Sequence, residues 1–149
     1  MHRAVRLGID VGKVRIGVAR TDIDATMAVP VETVSRDADA IARINDIVDE
    51  YLVGVIYVGL PLSLSGANTP STQDAIEFAL ALQGATPIPV RLIDERLSTV
   101  SAAQSLQAAG HNAKSAKGII DQAAAVVILE QAIATERTLD GWAGRALDE

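Results

Sequence analysis

Residues 5–20 read VRLGIDVGKVRIGVAR, and this stretch decides how the chain can fold. Two short apolar runs, residues 5–10 and 14–19, flank a small interruption with Gly12 at its centre. Runs that are short, rich in β-branched residues and closely spaced predict the two strands of a hairpin. We therefore expect this hairpin to form the centre of the fold.

Asp10 closes the first of these strands, where a carboxylate is unusual because Asp is depleted in strands. Side chains alternate between the two faces of a strand, so Asp10 shares a face with Arg6 and Gly8. Gly8 and Gly12 would let another backbone or a ligand come close. Asp10 either shapes a turn, as Asp often does, or belongs to a functional site, which requires other carboxylates to converge on it.

The composition excludes several classes of protein. The 149 residues fit one domain of the usual ~100–200 residues. Hydrophobic residues make up 49% and aromatic residues 3%, which predicts a core of Ala, Val, Ile and Leu. The lack of cysteine excludes disulfides, thiolate metal sites and cysteine catalysis. The charged start is not typical of a signal peptide, and no apolar run reaches the ~20 residues of a membrane span. We expect a soluble, cytoplasmic protein.

The remaining segments predict an α/β fold. Apolar runs predict strands at 27–34, 55–59 and 89–93, and helical spacing predicts helices at 37–51, 70–83, 98–110 and 117–135. Pro30 indicates an edge strand, and Gly54 is expected to end the first helix. A hairpin meander followed by two crossover units gives a mixed five-stranded sheet with helices on both faces.

Two further segments are expected to be irregular. Residues 60–69 predict a long polar loop, of the kind that is functional or mobile in a compact domain. Residues 111–116 predict a polar connection before the last helix. The sequence is consistent with one domain at 1–136 and a polar tail at 137–149, which carries Trp142.

Three acids occupy positions where a carboxylate is costly. Asp10 ends the central strand, Glu95 follows the fifth strand at the edge where open α/β sheets place ligands, and Asp121 lies inside an apolar helix. A carboxylate in apolar surroundings must be paired, hydrogen-bonded or bound to a cation. For Asp121 the simplest alternative is an ordinary helix salt bridge with Lys117, one turn earlier.

Three carboxylates brought together would repel one another by several kcal/mol at the dielectric of a protein surface. Divalent cations remove this repulsion, and Mg²⁺ prefers carboxylate oxygens completed by water and phosphate. Two such ions can activate a water molecule and stabilise the leaving oxygen of a phosphodiester. Asp10, Glu95 and Asp121 therefore favour a Mg²⁺- or Mn²⁺-dependent, two-metal phosphodiesterase.

The net charge of −6 argues against a protein-wide phosphate-binding surface, so a nucleic-acid site must be local. Basic residues do occur beside the acids or on the connections that flank them. Any one of them alone is more typical of a solvated surface, but together they can supply phosphate contacts. The candidates are Lys13, Arg15, Arg96, Lys114 and Lys117.

Four motifs resemble, in order, those of the YqgF family, also called RuvX. They are Asp10-x-Gly12-x-x-Arg15-x-Gly17-x-Ala19, Gly59-Leu60-Pro61 with Gly66, Asp94-Glu95-Arg96 with Thr99, and Ile120-Asp121-Gln122-Ala123-Ala124. The resemblance runs from about residue 5 to 134. It implies a ribonuclease H-like fold in which Asp10, Glu95 and Asp121 bind metal. Members often carry an acidic or amide residue before the loop glycine, where this chain has Ser65.

The resemblance implies a bacterial nuclease that processes the 5′ end of pre-16S rRNA, or else a Holliday junction resolvase acting on DNA. A third possibility is a non-catalytic module that binds RNA or ribosomal particles through its basic residues. The GIDVG hairpin also resembles that of actin-like ATPases, but those enclose a nucleotide between two domains and this chain has the length of one. We expect nucleic acid as the partner, no membrane, and either a monomer or a homodimer.

Overall fold

The computed structural model describes residues 3–94, 113–139 and 141–147, with the side chains of the second range described from residue 121 onward. The predicted helix at 98–110 lies outside these residues. In chain order the elements are β1 (Val5–Val11), β2 (Arg15–Thr21), β3 (Ala28–Ser35), α1 (Ala40–Tyr51), β4 (Val53–Leu60), α2 (Pro70–Gln83), β5 (Val90–Asp94), α3 (Ala113–Thr138) and β6 (Arg145–Ala146).

The strands form one mixed sheet in the order β3-β2-β1-β4-β5-β6. The meander β1-β2-β3 is antiparallel, while β1-β4 and β4-β5 are parallel. The predicted α/β fold with a hairpin meander and parallel crossover strands is thus confirmed. The sheet has six strands rather than five, because the two-residue β6 pairs antiparallel with β5. A strand of two residues is too short to leave a periodic signal in the sequence.

Strand alternation divides the interior into two cores, one on each face of the sheet. Leu7 and Ile9 are fully buried in the larger core, together with side chains of α1 and α2. The intervening Gly8 faces α3, because a Cβ there would lie 2.6 Å from Leu129 Cγ. The smaller core contains Ala19, Val55, Tyr57, Ile93, Ala125, Ile128, Leu129, Ala132 and Ala143. Helices therefore cover both faces, as predicted.

Strand β3 lies at an edge of the sheet, as Pro30 predicts. Pro30 has no amide hydrogen, and it pairs with Ala19 directly after a register shift between Val18 and Ala19. The irregularity occurs where a proline can be accommodated in a sheet.

Two predictions about helix ends are wrong: Gly54 does not end the first helix, and the last helix does not begin at Lys117. Helix α1 ends at Tyr51, followed by Leu52 in a left-handed conformation (φ 54°), and Gly54 already belongs to β4. Gly54 is needed there for close packing, since a Cβ would lie 2.7 Å from that of Ala4. Helix α3 begins at Ala113, so most of the expected polar connection at 111–116 is helical. Helix α2 starts as predicted, with Pro70 in its first turn.

The C-terminal segment, residues 141–147, docks on the sheet. Arg91 on β5 donates from Nε to the carbonyl oxygen of Ala143 (2.6 Å) and from Nη2 to that of Gly144 (2.8 Å). Gly144 has φ +68° and lies so close to β5 that a Cβ would be 2.2 Å from Leu92 O. A side chain at this position would therefore be excluded both by conformation and by space.

A buried polar network connects this segment to the helix and the sheet. The side chains of Arg6 and Glu136 are fully buried, with Arg6 Nη2 2.7 Å from Glu136 Oε1. Tyr57 donates its hydroxyl to Glu136 Oε2 (2.6 Å) and accepts from the backbone N–H of Ala143 (3.0 Å). Burial, together with its bond to Glu136, raises the pKa of Tyr57. Trp142 lies against the guanidinium of Arg6, 5.3 Å from ring centroid to Cζ.

Within the described ranges, no helix combines the length and apolar character that crossing a membrane requires.

Candidate nucleic-acid site

Asp10 lies at the edge of the sheet where the parallel strands end. It is the second-last residue of β1 and is partly buried. The neighbouring parallel strands, β4 and β5, end at the same edge with Leu60 and Asp94, which are paired in register. Open α/β sheets place their ligands at this edge. The position of Asp10 therefore favours a functional site over a simple turn.

Gly17 brings Asp121 to Asp10. Asp10 and Gly17 are direct partners in the β1-β2 ladder, so their Cβ positions lie on the same face of the sheet. A Cβ on Gly17 would be only 1.9 Å from the backbone oxygen of Asp121. Helix α3 thus crosses the hairpin at Gly17, with Asp121 directly above the cross-strand neighbour of Asp10. The fold unites two of the three predicted acids at one place.

Asp121 has a partner that the sequence did not identify. Arg15 donates from Nε to Asp121 Oδ2 at 3.1 Å, and the two side chains are 39% and 19% exposed. A pair with this exposure contributes at most about 1 kcal/mol to stability. The alternative partner, Lys117, has a side chain outside the described set. Arg15 places a cation beside this carboxylate, and that position matters more for the site than the energy of the pair.

Gln122, next to Asp121 on α3, binds the edge strand β3. Its Nε2 donates to Thr33 Oγ1 at 2.9 Å. Together with the Arg15–Asp121 pair, this bond fixes the helix across β2 and β3. Gln122 occurs in the motif of the YqgF resemblance, and its contact indicates a positioning role for that motif residue.

Arg36 holds the turn of the hairpin against α2. Its Nη1 donates to Gly12 O (3.0 Å) and to Asp74 Oδ2 (2.5 Å), and its Nη2 donates to Asp74 Oδ1 (2.8 Å). The guanidinium also lies over the ring of Phe78. Arg36, and to a smaller extent Lys13, holds the pKa of Asp74 below its ordinary value. Lys13, a predicted phosphate contact, therefore lies near this clamp.

The remaining predicted site residues lie where the structure gives no side chains. Glu95 directly follows the last residue of β5, and both Glu95 and Arg96 fall outside the described ranges. Lys114 and Lys117 belong to the first turns of α3, where only the helix itself is described. Among the described side chains, no group of three or more His, Cys, Asp or Glu could hold a metal ion. A three-acid site thus depends on Glu95.

The loop at 61–69 is organised by its own hydrogen bonds. The N–H of Gly66 donates to Ser63 O (2.8 Å) and that of Ser63 to Ala67 O (3.0 Å). Ser65, directly before the loop glycine, shares a hydrogen bond with the hydroxyl of Ser63 (2.9 Å). Thr69 then caps α2 through Thr72. The mobility expected of this loop stays a prediction.

Comparison with known proteins identifies the family. Residues 4–135 match the family described as "RuvX: Holliday junction resolvase". The chain belongs to the RuvX family. This confirms the resemblance that the four motifs carry.

RuvX relatives at high identity include a protein of Leifsonia xyli subsp. xyli named "Putative pre-16S rRNA nuclease". It is 55% identical over 139 residues, which cover 92% of this chain and 90% of the relative. A Streptomyces coelicolor protein of the same name is 48% identical over 140 residues, covering 92% of this chain and 84% of the relative.

The RuvX fold of this chain resembles that of RuvC. The structure of Thermus thermophilus RuvC in complex with a Holliday junction substrate aligns with a TM-score of 0.59 at 14% identity, covering 93% of this chain and 98% of that one. Another T. thermophilus RuvC structure gives 0.57 at 16% identity. At such identities the likeness concerns the fold, and it confirms the predicted ribonuclease H-like architecture.

Proposed function

We propose that this RuvX chain is a metal-dependent nuclease that processes the precursor of 16S rRNA. The observation that carries the proposal is the packing of Asp121 over Gly17, beside Asp10, at the ligand-binding edge of the sheet. Two acids from distant parts of the chain meet where a plain binding surface would not need them. The family and the names of the relatives support hydrolysis of nucleic acid as the reaction.

Asp10, Glu95 and Asp121 are the residues proposed to hold Mg²⁺ or Mn²⁺. Asp10 and Asp121 offer only oxygen donors, which suits these hard cations. Glu95 directly follows Asp94, the last residue of β5, and its part in the site is proposed from the motif that it shares with the family. Bound in pairs, such ions supply an activated water and stabilise the leaving oxygen.

The protein's own cations are proposed to bind and orient the phosphates. Arg15 already lies beside a carboxylate of the site and can exchange that contact for a phosphate when the carboxylate binds metal. Lys13 extends from the hairpin turn next to the site. Arg96, Lys114 and Lys117 complete the set as predictions. Phosphate contacts of this kind fix the register of a strand without reading its sequence.

Precursor rRNA is favoured over a DNA junction as the substrate because the relatives at 48–55% identity carry the rRNA name. The likeness to RuvC lies at 14% identity and concerns the fold alone. A role in rRNA maturation implies action in the cytoplasm on ribosomal particles, as a monomer or a homodimer. A DNA junction is kept as the second substrate in the test.

The decisive experiment replaces Asp10 and Asp121, one at a time. Purified wild type, Asp10→Asn and Asp121→Asn are incubated with a 5′-extended 16S rRNA fragment and with a four-way DNA junction, each with Mg²⁺ and Mn²⁺. We expect cleavage of the rRNA fragment to fall by several orders of magnitude in both variants, because water activation and leaving-group stabilisation are lost together. Unfolding free energies should change by no more than about 1 kcal/mol.

Asp24→Asn is the matched control. Asp24 is an exposed acid paired with Arg3 at 2.8 Å, away from the site, so it also loses an arginine partner on substitution. Its cleavage rate should equal that of the wild type. Wild-type rates in the Asp10 and Asp121 variants would refute the catalytic role and leave Asp121 as a structural partner of Arg15.

A further inference from the structure

A cavity opens at the same edge of the sheet as Asp10 but on the opposite face, that of the α1–α2 core. It has a volume of about 440 Å³ and adjoins the loop at 61–69. Its apolar wall comes from Leu60, Leu62 and Leu92, and its polar groups come from Asn68, Asp94 and Arg145. Small-ligand sites have this size and this mixture of apolar walls with a few polar groups.

The strand register explains why Asp94 and Arg145 meet at this cavity. Leu92 and Asp94 are two residues apart on β5 and therefore share a face, which is the face of the α1–α2 core that contains Leu92. Arg145 on β6 is the direct antiparallel partner of Leu92, so its side chain leaves the sheet on that face too. A carboxylate and a guanidinium thus flank one apolar pocket.

The docked C-terminal segment builds one wall of this cavity. Gly144 lines it next to Arg145, and the two bonds from Arg91 hold the backbone just before it.

We propose that this cavity binds one unstacked guanine of the substrate strand, next to the nucleotide that is cleaved. A guanidinium donates two hydrogen bonds to guanine O6 and N7, while a carboxylate can accept from the N1–H and the N2 amino group on the Watson–Crick edge. The leucines pack against the faces of the base. Single-stranded bases splayed into pockets are the usual means of sequence recognition in RNA.

The position of the cavity fits a neighbouring nucleotide. Strands β1 and β5 are separated by β4, and two strand spacings amount to about 10 Å. A phosphate at Asp10 and a base between Asp94 and Arg145 would therefore belong to adjacent nucleotides of one nucleic-acid chain. That chain would pass over the ends of β4 and β5. This base pocket presupposes the proposed nuclease function, since it selects the same substrate.

The test measures binding separately from cleavage. Wild-type protein in EDTA, where no metal supports hydrolysis, is titrated with fluorescent single-stranded hexanucleotides that differ at one central base: guanine, hypoxanthine or adenine. We expect the guanine oligonucleotide to bind about tenfold more tightly than the adenine one, as is typical of one bidentate contact. Hypoxanthine lacks the N2 amino group and should lie between them.

Two variants assign the preference to the pocket. Arg145→Gln and Asp94→Asn should each remove most of the difference between guanine and adenine. Asp94→Asn should leave adenine binding unchanged or tighter, because a negative charge near phosphate is lost. Arg3→Gln removes an equal charge from an exposed arginine 72% open to solvent and should keep the preference.

Equal binding of all three oligonucleotides by the wild type would overturn the guanine pocket, and so would a preference that survives in both variants. These outcomes differ from a failure of the nuclease itself. A protein that cleaves precursor rRNA without any base preference refutes only the pocket, while one that prefers guanine but never cleaves refutes only the nuclease.

Discussion

At the scale of single residues, Gly17 is the position on which the site depends most. Helix α3 can cross the hairpin only because nothing projects from Gly17. Any side chain there would push Asp121 away from Asp10. The absence of a side chain is thus what lets the turn of α3 that carries Asp121 lie against β2 beside Asp10.

We predict that Gly17→Ala disables the enzyme without removing any acid. The added Cβ would lie 1.9 Å from Asp121 O, so α3 must shift. Cleavage should fall at least about tenfold, and the free energy of unfolding should fall by about 1–3 kcal/mol, as for other overpacked interiors. The control is Gly84→Ala, where φ is −68° and the nearest atoms are 3.5 Å or more away. Rate assays and urea denaturation check both variants, and a fully active Gly17→Ala would contradict the packing argument.

At the scale of elements, the clamp formed by Arg36 and Asp74 joins the hairpin turn to α2. Arg36 bonds the carbonyl of Gly12 and both carboxylate oxygens of Asp74. The hairpin turn and α2 are thereby held in a fixed relative position. This contact makes the stability of the hairpin sensitive to acid.

The pH dependence follows from the lowered pKa of Asp74, whose ordinary value is 3.8. Because the folded-state pKa lies below the unfolded one, the stabilisation is complete above about pH 4 and is lost as the pH falls through the folded-state pKa. Asp74→Asn should lower the free energy of unfolding by up to about 1 kcal/mol at neutral pH. Below about pH 4, the free energy of unfolding of this variant should depend less steeply on pH than that of the wild type.

Denaturation of wild type and Asp74→Asn from neutral to acidic pH measures this effect. Glu77→Gln, an exposed carboxyl on the same helix, serves as the control. Every variant should still lose some stability at acidic pH, since hydrogen bonds from Met27 and Thr26 lower the pKa of Asp22 to about 2. Parallel curves for wild type and Asp74→Asn would show that the clamp contributes nothing through its charge.

At the scale of the whole molecule, the network around Glu136 ties together β1, β4, α3 and the C-terminal segment. We predict that Glu136→Gln lowers the free energy of unfolding by about 3–5 kcal/mol, because the buried charge of Arg6 loses its counter-charge. The exposed Glu130→Gln on the same helix should be close to neutral. The double variant Arg6→Met/Glu136→Leu should recover most of the loss. A Glu136→Gln protein as stable as the wild type would mean that the buried pair is not charged.

The sequence predicted the parts of this fold that follow from local pattern. Alternation in residues 5–20 predicted the hairpin and the face of Asp10, while the role of Asp121 in a site stays a prediction. Contacts between distant residues left no such signal. Arg6 and Glu136 are 130 positions apart, and Arg15 and Asp121 are 106 positions apart.

Contacts between distant residues also explain the role of Gly54 and the formation of β6, which the sequence did not predict. Gly54 resembles a helix terminator in the sequence, but close packing against Ala4 explains it. Strand β6 forms because Arg91 and Gly144 dock the C-terminal segment, whose own sequence shows no strand pattern. Tertiary contacts, rather than local secondary-structure propensities, determine where these elements begin and end.

The chain contains a single tryptophan, and it lies in the docked segment against Arg6. Its indole therefore acts as a built-in optical probe of one event, the seating of the C-terminal segment on the sheet. Intrinsic fluorescence excited at long wavelength would follow that seating without any label. It would also separate release of the segment from unfolding of the sheet, whose own elements contribute no indole emission.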